Sequence, residues 1–248
     1  MYTEDIVKAV TSAKSPLHRP VKAALIDMDG TLYDSMPWHA RAWHRMVTEL
    51  GIEATVEEFF AYEGMTGKAT VNLLFERAFS RHATDDEVTE LYARKSRYFS
   101  ENNHAGIMPG AKKMVSELIE AGVTPVLVTG SGQATLLERI NSDFDDAFPQ
   151  EKRITAKDVT KGKPDPEPYL KALSLAGVKC DEAIVIENAP LGIMAGVAAG
   201  VFTIGVNTGP IPKEQLLAAG ADIVFDSMTE CAEMLPGLLY IAKTSFQP

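Results

Sequence analysis

The 248 residues suffice for one large domain or two smaller ones, and a hydrophobic content of 46% is ordinary for a chain with a proper core. Net charge is −10, from 24 basic and 34 acidic residues, and no basic run is present. That balance excludes nucleic-acid binding by phosphate neutralisation and docking on an anionic membrane. An anionic substrate has to be met by local cations or by a metal.

Cys180 and Cys231, the only cysteines, make neither a disulfide framework nor a zinc pattern and read as two reduced, partly buried thiols. Met1–Pro20 lacks the apolar core of a signal peptide, and no apolar stretch reaches bilayer-spanning length. The expectation is a soluble, cytoplasmic monomer.

In chain order, Glu4–Ala13 is spaced for a short helix, ahead of a loop through Pro16 and Pro20. The stretch Ala24–Leu32 then carries an apolar run into two carboxylates, Asp27 and Asp29, followed by Gly30 and Thr31. It reads as a strand buried on both faces, with Asp27 and Asp29 pointing the same way while it stays extended and Gly30 allowing a sharp turn. Alone, the stretch fits a solvated acidic turn equally well. Asp34-Ser35-Met36-Pro37 looks like a helix start with a capping side chain. Trp38, Ala42, Trp43, Met46, Val47 and Leu50 follow at helical spacing up to Gly51. Val71–Phe79 and Val88–Phe99 carry two further helical stripes, and no strand is expected between Ser35 and Ala105.

From Ile107 onward the pattern alternates. A helix over Ala111–Ala121 leads to a strand at Pro125–Val128, and Thr129-Gly130-Ser131-Gly132 to a helix over Ala134–Ile140. A short strand near Arg153–Ala156, a Lys163-Pro164 loop and a helix over Glu167–Ala176 follow. Ala183–Ile186, a helix from Pro190 to Gly200, Phe202–Val206 and Ile223–Phe225 complete the set. Strands alternating with helices imply an α/β fold with a doubly wound parallel sheet. The expected domains are a core of residues 21–34 and 106–248, an inserted helical cap at 35–105, and an extension at 1–20.

In that arrangement Asp27, Asp29, Thr129, Lys163, Glu187 and Asn188 fall at or beyond strand ends on one rim of the sheet. Together they form a kit for phosphoryl transfer. Asp27 attacks phosphorus and carries an aspartyl-phosphate. Asp29 serves as general acid and base. Thr129 and the neighbouring backbone at Gly130 and Ser131 bind phosphoryl oxygens, while Lys163 offsets charge. Mg²⁺, a hard ion, suits an Asp27 carboxylate oxygen, the Asp29 carbonyl and Asn188. Each part has a plainer alternative: a helix cap for Thr129, a solvated lysine for Lys163, a turn for Glu187-Asn188. Their occurrence in this order is what favours the catalytic reading.

Asp27-Met28-Asp29-Gly30-Thr31-Leu32, with Thr129, Lys163-Pro164 and Glu187-Asn188, resembles the haloacid dehalogenase superfamily, and the helical insertion resembles its β-phosphoglucomutase-like branch. The resemblance implies an Asp27 nucleophile, Mg²⁺ and a cap closing over a small phosphorylated substrate. Asp29 argues against the dehalogenases themselves, which lack this second acid. In β-phosphoglucomutases a cap Lys-Gly-x-Ser-Arg loop clamps the distal phosphate; here Glu63-Gly64-Met65-Thr66-Gly67 stands in that place, without the Arg or the Lys, and Gly132 replaces a further Lys. His39 matches the family's cap histidine, although by itself it reads as a helix-surface residue beside Trp43. Glu63 near a bare phosphate is repulsive by roughly 4 kcal/mol at about 4 Å and an effective dielectric near 20, so it favours a metal-chelated one. With Asn188 where the family commonly has Asp, a carboxylate from the cap restores the lost charge. These loops are similar to those of the superfamily's inorganic-pyrophosphatase offshoot, which makes pyrophosphate hydrolysis the leading expectation. A β-phosphoglucomutase, a small sugar-phosphate phosphatase and a non-catalytic phosphometabolite sensor are the alternatives. A solvent-facing Glu63 is the plain alternative for that residue.

Overall fold

A computed structural model describes residues 4–102, 104–132 and 134–246; residues 1–3 of the N-terminal extension and Gln133 of the loop after the second strand lie outside them. Six strands form one parallel sheet: β1 (Ala23–Ile26), β2 (Thr124–Val128), β3 (Arg153–Ile154), β4 (Ala183–Glu187), β5 (Phe202–Val206) and β6 (Ile223–Phe225). Their spatial order is β3-β2-β1-β4-β5-β6, with Leu25 of β1 facing Val126 on one side and Val185 on the other. The chain therefore winds outward in both directions from β1. The order reverses beside β1, and in open α/β sheets that crevice at the carboxyl ends of the strands receives ligands.

Every residue of β1, β4 and β5 is buried, because helices cover both faces of the sheet. Ala24 and Ile26 join the larger apolar cluster on one face; Ala23 and Leu25 join the cluster on the other, with Val126, Val185, Tyr169 and Ala172. This two-residue alternation sets the direction of the groups that follow each strand.

The helices are α1 (Glu4–Thr11), α2 (Met36–Glu49), α3 (Glu58–Ala61), α4 (Gly67–Phe79), α5 (Asp85–Asn102), α6 (Ala111–Glu120), α7 (Ala134–Asp143), α8 (Glu167–Ala176), α9 (Pro190–Ala198), α10 (Lys213–Ala218) and α11 (Met228–Ser245). Helices α2–α5 lie between β1 and α6 in sequence and pack on one another, α2 against α5 and α3, and α4 against α5. Among the described residues none of them contains a strand, and no helix is long and apolar enough to cross a membrane.

Several local expectations are corrected. The opening strand ends at Ile26, because Met28 to Tyr33 fold into a tight turn in which Leu32 and Tyr33 N–H both bond the Met28 carbonyl and Gly30 takes φ +79°. The third strand covers only Arg153–Ile154, and α7 runs on to Asp143. Ser35 stands before α2 but does not cap it; its hydroxyl is drawn to Asp29 instead. Cys180 is exposed and Cys231 buried, both free. Helix α11 is absent from the sequence expectations, since Pro236-Gly237 breaks its periodic pattern. Packing overrides that signal: Leu235 and Leu238 are buried in the same cluster as Met114, Val115 and Leu118 of α6.

Candidate active site

Asp27 is the first residue after β1, and its N–H still bonds the Ile186 carbonyl at 3.1 Å, so the ladder itself places it on the sheet's rim. It continues the alternation of Leu25, toward the face covered by α8. There Lys163 Nζ donates to Asp27 Oδ1 and to Glu187 Oε1, each at 2.6 Å, and to the Val128 carbonyl at 3.0 Å. Lys163 is thus fixed by three strand ends at once. Glu187 is anchored in turn: its Oε1 accepts from the Tyr169 hydroxyl at 2.7 Å, and its Oε2 from the Asn188 N–H at 3.1 Å. Burial alone would lower the Lys163 pKa, but Asp27 and Glu187 outweigh it and hold the ammonium above its ordinary value. Asp27 is displaced upward by burial first; Lys163 opposes this, and repulsion from Glu187 and Asp29 adds to it.

Asp29 has different neighbours. Ser35 Oγ donates to its Oδ1 at 2.6 Å, and His39 Nε2 lies 2.9 Å from the same oxygen. On the far side of the ring, Lys95 Nζ is 2.6 Å from His39 Nδ1. An ionised carboxylate can only accept, so His39 Nε2 carries the proton that Asp29 receives as a hydrogen bond, and in the neutral ring Nδ1 accepts from Lys95. Burial pushes the Asp29 carboxyl up, yet His39 and Ser35 more than reverse it and keep its pKa below the ordinary value. Burial and the Lys95 charge lower His39 itself, which keeps the ring neutral. His39 is not a surface residue but is 5% exposed, stacked 4.0 Å from Phe99.

Glu63, in the loop before α4, is 7% exposed. The solvent-facing alternative is therefore wrong: the loop lies on the sheet's rim, and Asn188 Nδ2 donates to Glu63 Oε1 at 2.7 Å while Thr31 Oγ1 donates to Asn188 Oδ1 at 3.1 Å. Burial, and then the charges of Asp27, Glu187 and Asp29, raise the Glu63 carboxyl well above its ordinary pKa, with the Asn188 bond opposing. Thr129 follows β2, and its Oγ1 accepts from the Ser131 N–H at 2.9 Å. That bond shapes the loop rather than capping α7. A side chain on Gly130 would meet the Gly64 and Met65 carbonyls, so the glycine lets the inserted segment approach the core.

Asp27, Asp29, His39, Glu63, Thr129, Gly130 and Ser131 line one cavity of about 60 Å³. Lys163 and Asn188 stand behind it, bonded to Asp27 and Glu63. All the residues singled out in the sequence thus converge. Lys95, Ser35, Tyr169 and Tyr92 belong to the same surroundings and were not singled out. For Lys95 a signal existed: it sits four residues after Leu91 and four before Phe99, within a buried helical stripe, and is only 2% exposed.

The haloacid dehalogenase-like hydrolase family matches residues 21–200. Hexitol phosphatase A of Escherichia coli (strain K12) is 30% identical over 210 residues, covering 84% of this chain and 92% of that protein. The phosphorylated carbohydrates phosphatase of Thermotoga maritima is 27% identical, covering 81% and 92%. A solved structure titled as a putative β-phosphoglucomutase from Bacteroides vulgatus superposes with a TM-score of 0.89 and 42% identity, over 97% of each chain. The chain belongs to the haloacid dehalogenase-like hydrolases, in their β-phosphoglucomutase-like branch, and is an enzyme of the phosphatase and phosphotransferase kind.

Proposed function

We propose that the chain is a Mg²⁺-dependent phosphohydrolase that works through an Asp27 aspartyl-phosphate, with inorganic pyrophosphate as its substrate. The core, residues 21–34 and 106–248, supplies the reacting groups; residues 35–105 act as a cap that shuts them from water.

The chemistry follows from the hydrogen bonds. Lys163 occupies Asp27 Oδ1, which leaves the other carboxylate oxygen to attack phosphorus in line. The Lys163 ammonium also offsets charge on the phosphoryl oxygens, beside Thr129 and the backbone of Gly130 and Ser131. Asp29, kept ionised by His39 and Ser35, is set up to take the proton of the attacking water in the second step. The proton so gained is the one Asp29 passes to the leaving oxygen in the first step of the next turnover, so over a full cycle the proton from water ends on the leaving group.

The donor set fits Mg²⁺. Asp27, Asp29, Glu63 and Glu187 are all buried here, faced by the ammoniums of Lys163 and Lys95, so buried carboxylates exceed buried cations. Among the described residues no three His, Cys, Asp or Glu side chains are grouped to hold an ion alone. The Asp29 carbonyl and the Asn188 carboxamide would complete the oxygen set with Asp27 and Glu63. A bound Mg²⁺ supplies charge neutralisation and orients the phosphoryl group.

The observation that carries the substrate assignment is Glu63, a carboxylate delivered by the inserted loop to Asn188 above Asp27. Burial beside other carboxylates raises the Glu63 pKa, so Glu63 brings its negative charge only when a cation offsets it, which suits a metal-chelated dianion rather than a bare distal phosphate. A cavity of about 60 Å³ suits a group of phosphate size. A second reading, a small sugar-phosphate phosphatase, is favoured by relatives named for hexitol and carbohydrate phosphates.

The deciding experiment measures phosphate released with Mg²⁺ from pyrophosphate, β-glucose 1-phosphate and a panel of sugar phosphates by wild type, Asp27→Asn and Glu63→Ala. Pyrophosphate turnover that vanishes in Asp27→Asn and falls in Glu63→Ala supports the proposal. Faster turnover of a sugar phosphate by wild type replaces it with the second reading. Conversion of β-glucose 1-phosphate to glucose 6-phosphate identifies a mutase.

A further inference from the structure

Two segments cross between the core and the inserted helices, and they pair with each other. The Asp34 N–H bonds the Gly106 carbonyl at 3.0 Å, the Met108 N–H bonds the Leu32 carbonyl at 2.9 Å, and Tyr33 and Ile107 form an antiparallel bridge. A ladder this short is weak by itself and has to be held by its surroundings. Helix α7 of the core does so. Tyr33 is fully buried, and its hydroxyl donates to Asp143 Oδ2 at 2.8 Å. Arg139 Nε donates to the same oxygen at 2.6 Å, and Arg139 Nη1 donates to the Ala105 carbonyl at 3.3 Å. The Tyr33 ring packs edge-on against Phe144, with 5.7 Å between centroids. One carboxylate and one guanidinium thus tie down a residue on each crossing segment. Neither they nor Tyr33 line the cavity above Asp27.

Tyr33 also closes the turn that carries Asp29. Its carbonyl accepts from the Gly30 N–H at 2.8 Å. In a trans peptide the N–H and the carbonyl point opposite ways, so this bond fixes the direction of the Asp29 carbonyl. Gly30, at φ +79°, has no side chain by which packing could hold that peptide. Two residues beyond Tyr33, Ser35 donates to Asp29 Oδ1, and His39 follows in the first turn of α2. A shift of Tyr33 therefore moves both the Asp29 peptide and the donors that keep its carboxylate ionised. Burial, and then the bond to Asp143, raise the Tyr33 phenol above its ordinary pKa, so it remains a donor.

We propose that Tyr33, Arg139 and Asp143 are positioning residues for the phosphoryl-transfer site: α7 grips Tyr33 and Ala105, and the Tyr33 carbonyl holds the Asp29–Gly30 peptide in its working direction. This rests on the reading in which Asp29 acts as acid and base beside Asp27, whichever phosphate compound is the substrate.

The test compares wild type with Tyr33→Phe, Asp143→Ala, Asp143→Asn and the Tyr33→Phe/Asp143→Ala double variant, each assayed well below its Tm. The assay uses Mg²⁺ and whichever of pyrophosphate, β-glucose 1-phosphate and glucose 6-phosphate wild type turns over fastest. Tyr33→Phe keeps the ring and loses only the bond. It is expected to lower kcat by about tenfold with KM held within about twofold, because a misplaced reacting group costs rate rather than ground-state binding. Asp143→Ala is expected to match it, and the double variant to lose no more than either. Asp143→Asn, which still offers an oxygen to Tyr33, is expected to recover part of the rate.

Hydrogen exchange read by mass spectrometry on the metal-free protein accompanies the kinetics. In Tyr33→Phe, residues 28–35 and 104–108 are expected to exchange about fivefold faster or more, with β4 and β5 unchanged. Wild-type kcat in Tyr33→Phe, additive losses in the double variant or unchanged exchange over residues 28–35 each overturn the inference alone. So does a lowered Tm with kcat intact, the mark of a merely structural role. Absence of phosphate release by wild type from all three compounds overturns the reading of the site, and the inference with it.

Discussion

Asn188 Nδ2 and Glu63 Oε1 are joined by a hydrogen bond of 2.7 Å that crosses from the end of β4 to the inserted loop before α4. It is a contact between residues 125 apart in sequence, and it puts a carboxylate of the inserted segment into the cavity that Asp27 also lines. Asn188→Asp replaces the donor with a like charge. Turnover of pyrophosphate is expected to fall by about 10- to 100-fold, the usual range for disturbing a group that orients a metal site. Adding Glu63→Gln should recover part of the loss by restoring a donor–acceptor pair. Steady-state kcat/KM for the four variants of this cycle checks it, and strict additivity would show that the two residues do not act together.

Lys163 is buried between Asp27 and Glu187, with its side chain 1% exposed. Lys163→Met leaves two carboxylates facing each other with no counter-charge. The expected cost is about 3–5 kcal/mol of stability, the range for breaking a buried pair by removing one partner, together with loss of measurable turnover. Urea melts followed by circular dichroism give the first quantity. Tyr169→Phe, which removes only the hydroxyl bonded to Glu187, is expected to cost about 1–2 kcal/mol.

Lys95 separates stability from activity. Burial lowers its pKa from 10.5 to about 7. The unfolded chain therefore binds more protons here between pH 7 and 10, and stability contributed by this group rises with pH across that window. Lys95→Met is expected to remove that rise and to leave Tm at pH 7 equal or higher. Turnover should nevertheless fall by about tenfold or more, since His39 loses the donor that fixes its tautomer toward Asp29. Thermal melts from pH 7 to 9.5 and initial rates on the same preparation test both halves.

Asp222 gives the opposite slope far from the site. Burial raises its pKa from 3.8 to about 6, with the Thr203 N–H bond, 2.7 Å to Oδ2, opposing. Here the folded chain binds the extra proton, so the contribution to stability is full below pH 4 and declines as pH rises through 6. The group is only partly buried, so about 1 kcal/mol is expected. Asp222→Asn keeps an acceptor for Thr203 and should raise Tm at pH 7.5 while leaving it unchanged at pH 4.

Local pattern was enough to read the sheet. Ala23–Ile26, Ala183–Glu187 and Phe202–Val206 are apolar on both faces because helices cover both, and a strand of that kind declares itself within a few residues. The placement of Asp27, Thr129, Lys163 and Asn188 near strand ends follows from the same alternation of elements. Helix α11 did not declare itself, since Pro236-Gly237 is a breaker unless an apolar partner such as α6 holds the helix in place. The inserted segment shows the limit most clearly. His39 and Glu63 are polar residues that local pattern assigns to a surface, and the charge of Lys95 masks its place in an apolar stripe; all three are buried here because the inserted segment meets the rim of the sheet. Burial of a polar side chain depends on contacts far apart in the chain, such as Lys95 to His39 and Glu63 to Asn188, and only the folded chain brings those partners together.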